Sequence, residues 1–143
     1  TMRESDLVEV TQMAINIFQQ DYIVFSSNEA HIFHKMDQTQ WIRVITNLIQ
    51  NALHSVSKKK TPQIGVQIVT ERTQTTISVS DNGSGIPEKL KSKIFEPKFT
   101  TKSAGMGLGL GIVKNIIKSH KGKISFISTQ KKGTTFSIVL PKV

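Results

Sequence analysis

Apolar residues recur along this chain with two periods, one helical and one alternating, and the switch between them predicts its elements. Leu7, Val10, Ala14, Ile17 and Phe18 form one helical stripe over residues 6–20, with Ser5 or Asp6 as its cap. A short strand is expected at 22–25, YIVF. The strongest helix is expected over 37–57, where Trp41, Ile45, Leu48, Ala52 and Val56 recur at three- and four-residue steps. Asp37 can cap its start, and Lys58, Lys59 and Lys60 sit at the negative end of its dipole, ahead of Pro62. Alternating runs at 63–72 and 75–81 predict a β-hairpin. Pro87 is placed to open a short helix, PEKLKSKIF. Residues 96–111 are rich in Gly, Lys and Thr and predict a long loop. A helix over about 108–120, stopped by Gly122, and strands KISFIST and TTFSIVLP complete the chain. Helices alternating with mostly antiparallel strands imply a two-layer α+β sandwich in one domain, with no internal repeat or low-complexity segment.

Composition narrows the class. The 143 residues suffice for one core, and 37% hydrophobic content is that of a soluble globular domain. No apolar run approaches membrane-spanning length, and the opening TMRESDLVEV has no signal-peptide segment. With no cysteine there is neither disulfide nor thiolate metal site, which fits a reducing compartment. The net charge of +9 is uneven: residues 1–80 balance, while 81–143 hold twelve Lys/Arg against three acids. A basic half suits an anionic partner, or is simply a lysine-rich surface.

Three stretches carry candidate chemistry. In TNLIQNALHSV, residues 46–56, Asn47, Asn51 and Ser55 share one helix face, with His54 beside them. Asparagine is a mediocre helix former, but its amide oxygen is a hard neutral ligand suited to a Mg2+ held mainly by phosphates. The alternative is that both amides bond neighbouring loops. In ISVSDNGSGIP, residues 77–87, strand alternation puts Asp81 on the face of Ile77 and Val79. A carboxylate facing the core needs a donor, and an exocyclic amino group such as adenine's is one. Gly83 and Gly85 could let a flat ring approach the backbone. Asn-Gly is also a hairpin signal, but Pro87 and the helical pattern behind it leave no returning strand. In SAGMGLGLG, residues 103–111, four glycines lead into a helix. The spacing is neither a P-loop nor a Rossmann fingerprint, but the logic of a helix N-terminus receiving phosphate is shared, and a flexible linker is the alternative. Gly107 and Gly109 would let the backbone touch phosphate, Gly105 would act as a hinge, and Lys98 and Lys102 add charge.

In this order, NLIQNAL, DNGSGIP, FEPKFTTK, GMGLGLG and GTTFSIVLP resemble the ATP-binding catalytic domain of bacterial sensor histidine kinases, over about residues 6–143. That domain belongs with the DNA gyrase, Hsp90 and mismatch-repair ATPases. The wording is most similar to nitrogen-regulation-type kinases. The resemblance implies a Bergerat-type fold, a mixed, mostly antiparallel sheet covered on one face by helices. It implies ATP and Mg2+ as cofactors, with Asn51 on the metal and Asp81 on the adenine amino group. It places Asn47, Asn51 and Lys102 in the catalytic role. It adds His54, Ser55, Gly83, Gly85, Ile86 and Thr134 as nucleotide contacts. It makes Phe95, Phe99, Thr100, Thr101, Lys102, Gly105, Gly107, Leu108, Gly109, Leu110 and Gly111 the lid and second glycine box.

Gyrase-like members carry a water-activating glutamate where this chain has Asn47, which implies transfer of the γ-phosphate rather than efficient hydrolysis. The histidines, His31, His34, His54 and His120, lack the acceptor context of the family. The acceptor is therefore expected on a separate dimerisation and phosphoacceptor domain, with a response regulator downstream, no nucleic acid partner, a monomeric fragment and a homodimeric parent. Residues 1–5 are expected to be a remnant of the preceding linker or dimerisation helix. The expected location is cytoplasmic, with membrane anchoring of the parent left open. An anti-sigma-type serine kinase and a non-catalytic nucleotide-sensing module are the alternatives on this fold.

Overall fold

A computed structural model describes residues 1–96 and 110–142. In chain order the elements are β1 (Arg3–Asp6), α1 (Leu7–Asn16), β2 (Ile23–Ser27), β3 (Phe33–Met36), α2 (Gln38–Ser55), β4 (Ile64–Thr70), β5 (Gln74–Asp81), a 3-10 turn (Glu88–Leu90), α3 (Leu110–Ser119), β6 (Lys123–Thr129) and β7 (Gly133–Pro141). Five strands form one sheet in the order β2-β4-β5-β7-β6, antiparallel except for the β2–β4 pair. This is the two-layer α+β sandwich that the alternation implied.

The helices pack on one face. Alternation puts Ile64, Val66 and Ile68 of β4, Ile77 and Val79 of β5, and Phe136, Ile138 and Leu140 of β7 into the core. Across them lies the apolar stripe of α2, with Trp41, Ile45, Leu48, Ile49 and Ala52 buried. The opposite sheet face is polar: Gln67, Ser78, Ser137 and Ser125 stand side by side in register.

Caps fall where short polar side chains precede apolar periodicity. Asp6 accepts from Val8 N–H at 3.1 Å and Asp37 from Gln40 N–H at 3.1 Å. His120, at the end of α3, accepts the Asp37 backbone N–H on Nε2 at 3.1 Å and bonds the Ile116 carbonyl through Nδ1 at 2.8 Å. It thereby ties the end of α3 to the start of α2.

Some elements differ from expectation. No strand was expected before residue 22, yet residues 3–6 pair antiparallel with residues 33–36, from Arg3↔Met36 to Asp6↔Phe33. Neither four-residue strand is long enough to show alternation, and their pairing is non-local. The first helix ends at Asn16, so Ile17 is 61% exposed while Thr11 and Ile15 are buried. Thr11 lies inside because its hydroxyl accepts from the buried Trp41 indole at 3.2 Å. The helix expected at 87–95 is a 3-10 turn at Glu88–Leu90 followed by turns, its backbone bonds running from each N–H to the carbonyl three residues before.

The stop of α3 is also not a glycine effect. Lys121 takes the left-handed conformation, φ 62°, and Gly122 N–H reaches back to the Ile117 carbonyl at 2.9 Å. Gly122 is small because a Cβ would sit 2.7 Å from Leu140 Cδ2 and 2.9 Å from the Val139 carbonyl oxygen. Lys121→Gly is therefore expected to raise stability by about 1 kcal/mol, read as a higher midpoint in urea with unchanged slope.

Candidate functional site

One cleft opens between the C-terminal half of α2 and the ends of β5 and β7. It gathers residues far apart in sequence. Asn51, His54 and Ser55 come from α2, while Asp81, Ser84, Gly85 and Ile86 come from the end of β5 and the loop after it. Thr134 and Phe136 come from β7 and Leu110 from the start of α3.

Asp81 ends a central strand, paired with Ile64 on one side and Thr134 on the other. Alternation directs its carboxylate to the face of Ile77 and Val79, as the sequence predicted. Burial pushes its pKa up, and the Gly83 N–H, the Ser55 hydroxyl and the Thr134 backbone partly oppose this by favouring the charged form. The Gly83 bond is 2.8 Å.

The following loop is locked by its own backbone. Asn82 accepts from Gln63 N–H at 2.9 Å and donates to the Thr61 carbonyl at 2.9 Å, which fixes the turn without a returning strand. Ser84 N–H donates to the Ser55 carbonyl at 3.2 Å, and Lys131 N–H donates to the Ser84 carbonyl at 2.7 Å. Packing alone already requires Gly83 and Gly85 to be small. A Cβ on Gly83 would overlap the hydroxyl and carbonyl of Ser55, and one on Gly85, φ +77°, would overlap the backbone of Thr129 and Gln130. These glycines let the loop sit flush on α2 and on the β6–β7 turn.

Asn51 is the anomaly of the site. Its Oδ1 and Nδ2 are both buried, and neither has a hydrogen-bond partner. No other buried side-chain N or O atom among the described residues is in that position. The amide therefore does not serve the loop-bonding alternative, and leaving it unmet costs roughly 1–3 kcal/mol. A hard cation at Oδ1 or an anion oxygen at Nδ2 would satisfy it, so the donor chemistry fits Mg2+ with phosphate.

Of the residues singled out from sequence, Asn51, His54, Ser55, Asp81, Gly85, Ile86, Leu110 and Thr134 come together here. Asn47 lies one turn before Asn51, half-buried, and is absent from the lining with Gly83. Phe99, Thr100, Thr101, Lys102, Gly105, Gly107, Leu108 and Gly109 lie outside the described residues. Phe95, expected beside the lid, is in edge contact with Phe126 and Phe136 at centroid distances of 5.8 and 6.4 Å. Sequence reading missed Ser84 and Phe136. Phe136 was legible, since it is two residues beyond Thr134 on the same strand face.

Known proteins resemble this chain in sequence and fold. Residues 36–143 match the family described as Histidine kinase-, DNA gyrase B-, and HSP90-like ATPase. Sporulation kinase A of Bacillus subtilis is 42% identical over 122 residues, covering 85% of this chain and 20% of that protein. Sensor histidine kinase ZraS of Salmonella typhimurium is 35% identical, covering all of this chain and 32% of that protein. The chain thus spans between a fifth and a third of the length of these relatives. Among solved structures, the nucleotide-free catalytic domain of histidine kinase ThkA superposes with a TM-score of 0.86 at 32% identity, covering 99% of this chain and 96% of that one. ThkA has also been solved in complex with the response regulator TrrA, and that kinase chain superposes with a TM-score of 0.80 at 29% identity, with 42% of it covered. This chain belongs to the histidine kinase-, gyrase- and Hsp90-like ATPase family, within which its relatives are sensor histidine kinases and its structural neighbours their catalytic domains.

Proposed function

We propose that this domain binds Mg2+·ATP in the cleft and hands the γ-phosphate to a histidine on a dimerisation and phosphoacceptor domain of its parent kinase, from which a response regulator is then phosphorylated. The observation that carries this reading is the unmet buried amide of Asn51 in the same cleft as the half-buried carboxylate of Asp81. Asp81 would accept the adenine amino group, and Thr134, Gly85 and Ile86 would border the base. Asn51 would ligate Mg2+, which supplies charge neutralisation on the phosphates when bound. His54 and Ser55 would line the nucleotide, while Phe99, Thr100, Thr101, Lys102, Gly105, Gly107, Leu108, Gly109 and Leu110 would form the lid and phosphate contacts.

Transfer rather than hydrolysis is supported by the absence of a second acid. Among the described lining residues Asp81 is the sole carboxylate, and position 47 offers an amide that cannot take a proton from water. The domain would act by positioning and charge neutralisation. Monomeric isolated domain, homodimeric parent and cytoplasmic location belong to the same reading. Among the described residues, no helix is long and apolar enough to cross a membrane.

The test pairs the domain with a separately produced phosphoacceptor domain of its parent and radiolabelled ATP. Acid-labile phosphate on the acceptor is expected; acid-stable phosphate would assign a hydroxyl acceptor instead, as in the serine-kinase alternative. Asn51→Ala is expected to abolish the Mg2+-dependent gain in ATP affinity, about 10–100-fold, while leaving metal-free binding unchanged.

A further inference from the structure

Ser128 lies behind the cleft, outside its lining, yet it is wired to it. It is the penultimate residue of β6 and only 8% exposed. Its hydroxyl has three polar neighbours: Ile86 N–H at 2.7 Å, Thr134 Oγ1 at 2.8 Å and the Gly133 carbonyl at 3.4 Å. A hydroxyl has one proton and two lone pairs, and the Ile86 amide occupies one lone pair. The proton must go to Thr134 or to Gly133. A separation of 2.8 Å is the usual O–H···O distance, and 3.4 Å lies beyond that range. The proton of Ser128 therefore points at Thr134.

That choice sets the polarity of Thr134. Its Oγ1 already accepts from Ser128, and no other side-chain hydrogen bond is made by it among the described residues. Its own proton is left to point into the cleft that it lines, beside the carboxylate of Asp81, its register partner. Were the proton order reversed, the cleft would present two acceptors side by side.

We propose that Ser128 is a positioning residue that orients the Thr134 hydroxyl as a donor, so that the cleft presents a donor beside an acceptor and selects a base edge carrying an acceptor beside a donor. The inference rests on the nucleotide-binding reading above. Adenine presents that edge, with its amino group and ring N1. Guanine presents the reverse, so carbonyl would meet carboxylate and N–H would meet O–H, leaving buried polar groups unmet.

The experiment is calorimetric titration of the domain with Mg2+·ATP and with its 1-deaza analogue, which keeps the amino group but replaces ring N1 by C–H. The wild-type domain is expected to prefer ATP by ~5–10-fold, the value of one hydrogen bond, made directly or through a water. In Ser128→Ala the preference should fall to within about twofold, as in Thr134→Val, and the double variant should lose nothing more. Ser128→Cys, with its weaker donor, keeps the test open should the alanine variant not fold, and its preference should fall between those of wild type and Thr134→Val. A merely structural role would weaken both nucleotides equally and leave their ratio at the wild-type value, which overturns the proposal. An absent wild-type preference for ATP would overturn it too. Failure of the wild-type domain to bind ATP at all, or Asp81→Asn binding as tightly as wild type, would instead remove the nucleotide reading itself.

Discussion

Gly133→Ala is expected to cost about 2–6 kcal/mol of stability, a large share of what a domain of this size possesses. Two effects add. Gly133 has φ +130°, a backbone region closed to residues with a side chain, which costs about 1–3 kcal/mol to occupy. A Cβ there would also overlap the Asp81 carbonyl and sit 3.0 Å from Asn82 Cα, forcing the central strands β5 and β7 apart. Overpacking of that kind costs about 1–3 kcal/mol more. Thermal unfolding followed by circular dichroism should show a midpoint lower by roughly 10–20 °C. Gly65→Ala is the control: no heavy atom lies within 4 Å of its would-be Cβ, so it should be neutral or mildly stabilising. The displaced strands are those that juxtapose Asp81 and Thr134, so Gly133→Ala should also lose ATP binding even well below its midpoint.

Asp81→Asn is expected to separate binding from stability. Hydrogen bonds to a charged group contribute about 1.5–3 kcal/mol, so ATP affinity should fall by roughly 10–100-fold. The amide would also turn a donor toward the adenine amino group. The empty domain, in contrast, should be no less stable at neutral pH, because burial makes the ionised carboxyl costly. The direction in pH follows from the raised pKa. The native state holds this proton more tightly than the unfolded chain, whose carboxyl titrates near about 3.9. The contribution of Asp81 to stability is thus full below that value and is lost as pH rises through the raised folded value. Asp81→Asn should therefore match or exceed wild type at pH 7 and lose that advantage toward acid pH. A variant less stable than wild type at pH 7 and equal to it in ATP affinity would contradict both halves.

Much of this was written in local chemistry. The stripe of α2 and the alternation that turns Asp81 inward follow from periods of 3.6 and 2, and the cap at Asp37 from a short acid ahead of the stripe, while Thr134 beside Asp81 was implied only by the family resemblance. The β1–β3 ribbon did not, because four mostly polar residues that pair across thirty positions carry no periodic signal. The packing constraint on Gly83 and Gly85 was also hidden. Sequence shows that a side chain is absent, but which neighbour occupies its place, here Ser55 and Thr129, emerges only from the packing. The unmet amide of Asn51 could be suspected from two asparagines in line, yet its lack of a partner is a property of the surrounding fold.

Among the described residues the outer strand β6 pairs only with β7, and its other edge has no partner strand. Its segment Ile124–Ser128 carries no charge, and Ile127 is 79% exposed. Such an edge is a template on which a second chain can add, and gatekeeping charges are the usual defence. Lys121 and Lys123 precede the segment, and Lys131 and Lys132 follow it. Two copies approaching edge to edge would bring these ammonium groups together. Part of the positive excess in the second half of the chain therefore acts as a barrier to self-assembly, whatever anion the cleft receives.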